Sequence, residues 1–189
     1  CLQEIAVNFP RLRGNAGGDQ PARLRELLPG FDVLFAPAVD EWKGGQRRQF
    51  GNVIATRLPI AQVRQHALPY PPDPRAQTMP RVCLVATVVD HRLGPVRVMT
   101  THLEYFSKEQ RMAQARALRD LHAEYCAVAA APPQPCDDGS PFETKVHTAN
   151  AVLCGDFNHA PHEPEHAAIT QPFAHGRLWD SWTLREGLR

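Results

Sequence analysis

Three short apolar runs in this chain end on polar residues, and this pattern constrains the fold more than any other feature. One run leads into Asp156 and Asn158, a second ends at His102, and the third, which opens the chain, ends at Glu4. Buried strands can hold such side chains rigidly at one rim of a sheet. A carboxylate, an imidazole and a carboxamide gathered in this way suit a metal-assisted hydrolase better than a binding module.

The size and composition predict one globular domain with a proper core. The chain has 189 residues, of which 43% are apolar and 22% are charged. No apolar stretch approaches the ~20 residues that would cross a membrane. The formal net charge of +1 gives no overall sign of nucleic-acid binding, although a local patch could still provide it.

The five cysteines indicate neither a structural zinc site nor a disulfide framework. Their number is odd and none forms a Cys-x-x-Cys pair, although Cys126 and Cys136 could meet across a loop. This usage favours a reducing compartment such as the cytoplasm, and nothing else in the sequence indicates a location.

Runs rich in β-branched residues alternate with a few helical segments. Ser107 begins a capping box, and the helix that follows is expected to run to about Tyr125. Residues 40–49 and 159–166 are expected to form loops, and the Pro-rich insertion 131–147 is expected to border the site. The mixed order favours the α+β class. Strands are predicted over residues 1–5, 31–37, 51–57, 60–68, 82–89, 96–101 and 151–154, with the fifth and sixth paired as an antiparallel hairpin.

The string Gly155-Asp156-Phe157-Asn158 is the strongest chemical signal. The carboxylate of Asp156 can accept a proton from an attacking water, and the amide of Asn158 can donate to a phosphoryl oxygen. The alternative is an ordinary turn, which Asp and Asn both favour.

The other candidate site residues each have a simpler, purely structural interpretation. His102 could donate to a phosphate oxygen, but a lone His at a strand end is often structural. Glu104 lies two residues further on, where a solvent-facing position is the simplest interpretation. Glu4 could bind a hard cation, or it could be a solvated side chain. Asn52 could orient a phosphate or belong to a plain turn, and Asp180 could cap a helix or join the site.

Two further groups of residues are better interpreted as solvated than as functional. Three histidines at positions 159, 162 and 166 suggest zinc, but they lack the helical spacing of good zinc pairs, so a solvated loop is preferred. The basic run at residues 46–49 could touch phosphates, although such runs are usually solvated.

Several strings resemble those of the endonuclease/exonuclease/phosphatase superfamily, which has the fold of deoxyribonuclease I. The resemblance covers nearly the whole chain, and its specificity comes from the order and spacing of the strings. In chain order these are Leu2-Gln3-Glu4; Gly51-Asn52 with Thr56-Arg57-Leu58-Pro59-Ile60; Thr101-His102-Leu103 with Arg111 and Gln114; Gly155-Asp156-Phe157-Asn158; and Leu178-Trp179-Asp180-Ser181-Trp182.

The resemblance implies a two-sheet β-sandwich flanked by helices, in α/β/β/α layers, that hydrolyses phosphoesters with Mg²⁺ or Mn²⁺. By motif, Glu4 would hold the metal, Asp156 would orient and deprotonate the attacking water, and His102 would donate to a phosphoryl oxygen. Asn158 would fix the phosphate and Asn52 would support the site. Arg111 and Gln114 are interpreted as structural.

Two parts that the resemblance implies are not found in the sequence. One is a strand with an Asn upstream of Glu4, and the other is a Ser-Asp-His strand near the carboxyl end. We therefore expect residues 1–189 to be one truncated domain, nearly inert by itself but active at full length. The main hypothesis is a monomeric phosphoesterase whose substrate, nucleic acid or small molecule, is undecided. The alternative is a non-catalytic binding domain on the same scaffold.

Overall fold

Two β-sheets packed face to face form the centre of the molecule in a computed structural model that describes residues 1–187. This confirms the predicted α+β sandwich. The strands are β1 (Leu2–Val7), β2 (Asp32–Lys43), β3 (Gln46–Thr56), β4 (Ile60–Ala67), β5 (Val82–Asp90), β6 (Gly94–His102) and β7 (Ala151–Asp156), and the helices are α1 (Gln20–Leu27), α2 (Lys108–Ala130), α3 (Pro164–Thr170) and α4 (Ser181–Gly187).

The sheet topology brings two of the predicted strand ends together. The first sheet has the order β1-β3-β2, and the second has the order β4-β5-β6-β7. All pairings are antiparallel except that of β6 with β7, which is parallel. Parallel neighbours end at the same edge of a sheet, so His102 and Asp156 become register partners.

Strand β5 connects the layers of the fold, because its two faces pack into two different hydrophobic cores. Leu84 and Ala86 pack against Ile54 of the first sheet. Cys83 and Val85, which alternate with them, pack against Leu118 and its neighbours on the helical side. The near-continuous apolar run of β5 follows from this burial on both faces.

The region 40–49 is a hairpin, so the prediction of a polar loop is wrong. Strands β2 and β3 stay paired up to Lys43 and Gln46. The turn between them consists of Gly44 and Gly45, whose φ angles of +60° and +76° suit a tight two-residue hairpin turn. The basic run therefore lies on β3, where Arg47 forms a two-point ion pair with Asp40 at 2.6 and 2.8 Å.

Helix α2 begins as predicted and ends later than predicted. The Ser107 side chain accepts a hydrogen bond from the backbone N–H of Gln110, as in the expected cap. Beyond Tyr125 the chain is rich in alanine, which favours a helix. The helix ends at Ala130, shortly before two prolines. No helix within residues 1–187 has the length and apolar character needed to cross a membrane.

The insertion 131–147 lies far from the strand ends that carry the candidate site, so the expectation that it borders the site is wrong. Near its start, helix α2 is bound to the segment after β6 through Arg111, and near its end Cys126 contacts the Ala149 carbonyl just before β7, so the insertion begins at the opposite end of the sheet. There Gln62 donates to the Val146 carbonyl at 2.8 Å, and Thr148 donates to the Pro95 carbonyl at 2.9 Å. The insertion then leads into the start of β7 rather than its end.

Candidate active site

The centre of the candidate site is the pair of His102 and Asp156 at the ends of β6 and β7. Their side chains approach to 3.9 Å between His102 Nε2 and Asp156 Oδ2. Gly155 permits this approach, because a Cβ at that position would lie 2.0 Å from the Thr101 carbonyl oxygen. Glycine is therefore required at position 155 for a steric reason, which the sequence motif alone does not reveal.

Asp156 and Asn158 form a turn, as the alternative interpretation of their sequence motif predicted. The same turn also joins the candidate site to the segment that follows β6. The backbone N–H of Asn158 donates to Asp156 Oδ1 at 3.0 Å, and Asn158 adopts a φ of +51°. Its side chain Nδ2 donates to the Leu103 carbonyl at 2.8 Å. This leaves the second hydrogen of Nδ2 for another acceptor, while the Asp156 side chain stays 53% exposed.

Glu4 lies at a distortion of β1, and its carboxylate lies near His102. It has a φ of +61°, and the register of β1 shifts between Leu2 and Ile5. The preceding residue connects the two sheets, since Gln3 Nε2 donates to Thr100 Oγ1 at 2.9 Å. The Glu4 carboxylate is exposed, and it lies close enough to His102 to raise the pKa of that imidazole.

Asn52 lies beneath the site and holds the two sheets together. It is buried, and its Nδ2 donates to the Val82 carbonyl at 3.0 Å. Thr101 donates to the same carbonyl at 3.2 Å. Asn52 therefore contacts backbone rather than the open rim, a position compatible with the supporting role that the motif implied.

The environment of His102 favours its neutral form. Burial is the main cause that lowers the pKa of this imidazole, and the nearby Arg81 lowers it further, while Asp156, Glu4 and Glu104 act in the opposite direction. Nδ1 is buried and has no hydrogen-bond partner within residues 1–187. Because Nε2 is the nitrogen that faces a carboxylate, the neutral tautomer with its proton on Nε2 is favoured.

Glu104 is fully buried, so the interpretation of a solvent-facing position is wrong. Its Oε2 lies 3.2 Å from both Nε and Nη2 of Arg81, and its Oε1 accepts the backbone N–H groups of Tyr105 and Phe106. The Arg81–Glu104 ion pair thus lies behind His102 and fixes the segment that follows it. Sequence reasoning missed Arg81, because no local pattern connects it with a carboxylate 23 positions away.

Arg111 and Gln114 connect helix α2 to the same segment, in agreement with their structural interpretation. Arg111 Nη1 donates to the carbonyls of Glu104 and Tyr105 at 3.2 and 2.9 Å. Gln114 accepts from the Glu104 N–H at 2.9 Å and donates to the Pro69 carbonyl at 3.1 Å. These contacts hold the end of β6 against the helix.

Asp180 caps helix α4, and its hydrogen bonds within residues 1–187 go to none of the candidate site residues. Its Oδ1 accepts the Trp182 N–H at 2.9 Å, and its Oδ2 lies 3.2 Å from His166 Nε2. The prediction of a solvated loop at 159–166 is correct only in part: residues 159–163 form a loop with His162 exposed, whereas the Nε2 of His159 is buried and His166 belongs to helix α3. A groove of about 610 Å³ lies between α2 and α3, and none of the candidate site residues lines it.

The donor set fits a hard cation better than zinc. Within the described part of the chain, no group of three or more His, Cys, Asp or Glu side chains is placed to bind a metal. Glu4 and Asp156 nevertheless present exposed carboxylates near His102. Mg²⁺ typically takes one or two carboxylates, with waters and substrate phosphate oxygens as its other ligands, so these residues suit it.

Comparisons with known proteins agree with this architecture. A family model described as the Endonuclease/Exonuclease/phosphatase family matches residues 1–187. None of the curated proteins compared with the chain matches it.

Three solved structures show the same fold. A mannosyl-6-phosphatase from Bacteroides thetaiotaomicron is 19% identical, with a TM-score of 0.55 and coverage of 79% of this chain and 51% of its own. An endonuclease/exonuclease/phosphatase from Beutenbergia cavernae is 28% identical, with a TM-score of 0.53 and coverage of 86% and 39%. ANGEL2, a 2′,3′-cyclic phosphatase, is 22% identical, with a TM-score of 0.55 and coverage of 96% and 47%. The chain thus spans about half the length of these proteins, or less.

Proposed function

Since the chain belongs to the Endonuclease/Exonuclease/phosphatase family, we propose that it is part of a metal-dependent phosphoesterase in which Asp156 activates the attacking water. The substrate is a phosphodiester or a phosphomonoester. The observation that carries the proposal is the meeting of Asp156, His102 and Glu4 at one edge of the sandwich. A buried histidine beside two exposed carboxylates provides a proton donor, a proton acceptor and a cation ligand in one place.

Asp156 is the group best suited to accept the water proton. Its side chain is 53% exposed, so solvent water and a substrate can both reach it. The backbone N–H of Asn158 holds one carboxylate oxygen, which fixes the direction of the other. As the water oxygen bonds to phosphorus, its proton passes to Asp156 and the bond from phosphorus to the leaving oxygen breaks.

His102 and Asn158 are placed to bind the phosphoryl group. Neutral His102 can donate from Nε2, and Asn158 can donate the second hydrogen of Nδ2, because the first is used by the Leu103 carbonyl. Glu4 would be the metal ligand, and a bound Mg²⁺ or Mn²⁺ would offset negative charge on the phosphoryl oxygens. Buried Asn52 and the Arg81–Glu104 pair keep these groups in place from behind.

The substitution Asp156→Asn tests the role of this residue in the protein that carries this chain. The amide keeps the size of the side chain but cannot accept the water proton, so kcat should fall by about 10³-fold or more. The measurement is hydrolysis of bis-p-nitrophenyl phosphate and p-nitrophenyl phosphate with Mg²⁺. The fold should persist, because the Asp156 side chain is half exposed.

Asp137→Asn is the matched control. Asp137 is an exposed aspartate in the insertion at the opposite end of the second sheet. Its substitution should leave turnover within twofold of that of the unchanged protein. If Asp156→Asn also left turnover within a few-fold, Asp156 would not be the acceptor of the water proton.

A further inference from the structure

Two exposed aromatic side chains directly follow the strand that carries His102. Tyr105 and Phe106 are 61% and 66% exposed, and their ring centroids lie 4.9 Å apart at an interplanar angle of 90°. Single exposed apolar side chains are common and need no explanation. Two perpendicular rings, three and four residues after a candidate catalytic histidine, are less ordinary.

The backbone under these rings is held unusually firmly for an exposed segment. The N–H groups of Tyr105 and Phe106 both donate to Glu104 Oε1 at 2.9 Å. The Tyr105 carbonyl accepts from Arg111 Nη1 at 2.9 Å. Glu104 is itself fixed by its buried ion pair with Arg81. The two rings are mostly exposed, so their burial contributes little to stability, yet the backbone that carries them is held in place. Exposed rings on a fixed backbone are expected of a preformed contact surface.

The same segment is hydrogen-bonded to the residues proposed to carry the reaction. The Leu103 N–H donates to the Asp156 carbonyl at 2.9 Å, and the Leu103 carbonyl accepts from Asn158 Nδ2 at 2.8 Å. The segment that carries the two rings is therefore joined through Leu103 to Asp156 and Asn158, beside the candidate site.

We propose that Tyr105 and Phe106 form a stacking site for a planar aromatic group of the phosphoester substrate, namely a nucleobase. This inference rests on the proposed function. A perpendicular pair presents the face of one ring beside the edge of the other, and a planar π system can stack on the first while it meets the second edge-to-face. Neither ring carries a charge, so the contact should accept different bases.

Binding of adenosine 5′-monophosphate and of ribose 5-phosphate, measured by calorimetry with Mg²⁺, separates the base contact from the phosphate contact. The background is Asp156→Asn, which prevents turnover. We expect adenosine 5′-monophosphate to bind about tenfold more tightly than ribose 5-phosphate. In Tyr105→Ala/Phe106→Ala this ratio should fall to about one, with the Kd of ribose 5-phosphate unchanged within twofold.

Two variants sharpen the test. Trp42→Ala removes an aromatic side chain that is 74% exposed near the tip of the β2–β3 hairpin, and it should leave the ratio unchanged. Phe106→Leu keeps an apolar side chain but removes the ring, so it should lower the ratio toward that of the double alanine variant. A full ratio in Phe106→Leu would show a general apolar contact and would overturn the stacking proposal.

The remaining outcomes are distinguishable. Equal affinities for the two ligands in the parent protein, or an unchanged ratio in the double alanine variant, would overturn the stacking site and leave the proposed function intact. A dimer that the double variant abolishes would also overturn it, because the rings would then pack against a second copy. Failure of both ligands to bind would overturn the proposed function together with the stacking site.

Discussion

Two histidines in this molecule have similar surroundings and are expected to play different roles. His102 at the end of β6 and His122 in the middle of α2 are both buried, and each lies beside a buried arginine, Arg81 or Arg97. In both cases burial is the largest cause that lowers the imidazole pKa, and the arginine is the second. Burial beside a cation therefore does not by itself indicate an active site.

The carboxylates make the difference between the two. Asp156, Glu4 and Glu104 lie near His102 and partly offset the lowering of its pKa. The carboxylates of Asp156 and Glu4 are open to solvent. His122 has no carboxylate among the causes of its shift, and burial with Arg97 lowers its pKa to about 4. Arg97 Nη2 donates to His122 Nδ1 at 2.7 Å, so this imidazole acts as a fixed acceptor within the core. Exposed acidic groups beside a neutral imidazole are what distinguish the candidate site.

Replacing each histidine with glutamine gives the largest expected contrast. His102→Gln should lower turnover of a phosphodiester by about 10²- to 10⁴-fold, because the proton donor at the phosphoryl group is lost. His122→Gln should leave turnover within a few-fold, since that residue lies on the helical side of the second sheet. Similar losses in the two variants would mean that His102 acts only through the fold.

The buried ion pair behind His102 should matter more than any ion pair at the surface. Glu104→Gln would leave the guanidinium of Arg81 buried without a countercharge, which typically costs about 3 to 5 kcal/mol of unfolding free energy. The measurement is urea denaturation. Glu26→Gln is the control, because its pair with Arg23 is 64% and 65% exposed, and it should change stability by less than about 0.5 kcal/mol. Equal effects would show that Glu104 contributes no more than a surface pair.

The low pKa of His122 predicts that acid weakens the fold. The unfolded chain binds a proton near pH 6.5, whereas the folded chain resists protonation until about pH 4. This contribution is fully present above pH 6.5 and is lost as the pH falls to 4, by up to about 3 kcal/mol. Unfolding free energies between pH 7 and 4 provide the measurement.

His122→Gln isolates that contribution. Glutamine can still accept a hydrogen bond from Arg97 but does not titrate, so the variant should show a flatter dependence of stability on pH over this interval. An unchanged slope would assign the acid sensitivity to other groups, of which His102 and His66 also have lowered pKa values.

The fold was largely predictable because its strands are local signals. The β-branched run of β5 and the Ser107 cap of α2 were predicted correctly from neighbouring residues alone. The return hydrogen bond of a capping box is not formed, because within the described residues Gln110 Oε1 has no partner. The β2–β3 hairpin was missed because its outer half is polar and exposed, and its strands persist through backbone pairing and a Gly44-Gly45 turn rather than through burial. Charge in a segment is therefore weak evidence against a strand.

The site was predictable only where a motif carried it. Glu4, His102, Asp156 and Asn158 each lie within a recognisable string. Arg81 precedes β5 and Glu104 follows β6, so only the pairing of these two strands brings them together. Exposure of the Tyr105 and Phe106 rings was equally invisible, because an aromatic pair after a strand usually indicates core.

Paramagnetic broadening of the histidine ring signals by Mn²⁺ tests for a cation beside His102, because the two histidines serve as probe and control in one sample. Substoichiometric Mn²⁺ should broaden the His102 signals and leave those of His122 sharp. Excess Mg²⁺ should reverse the effect, and Glu4→Gln should weaken it. Equal broadening of both histidines, or none at His102, would contradict a cation site at Glu4 beside His102.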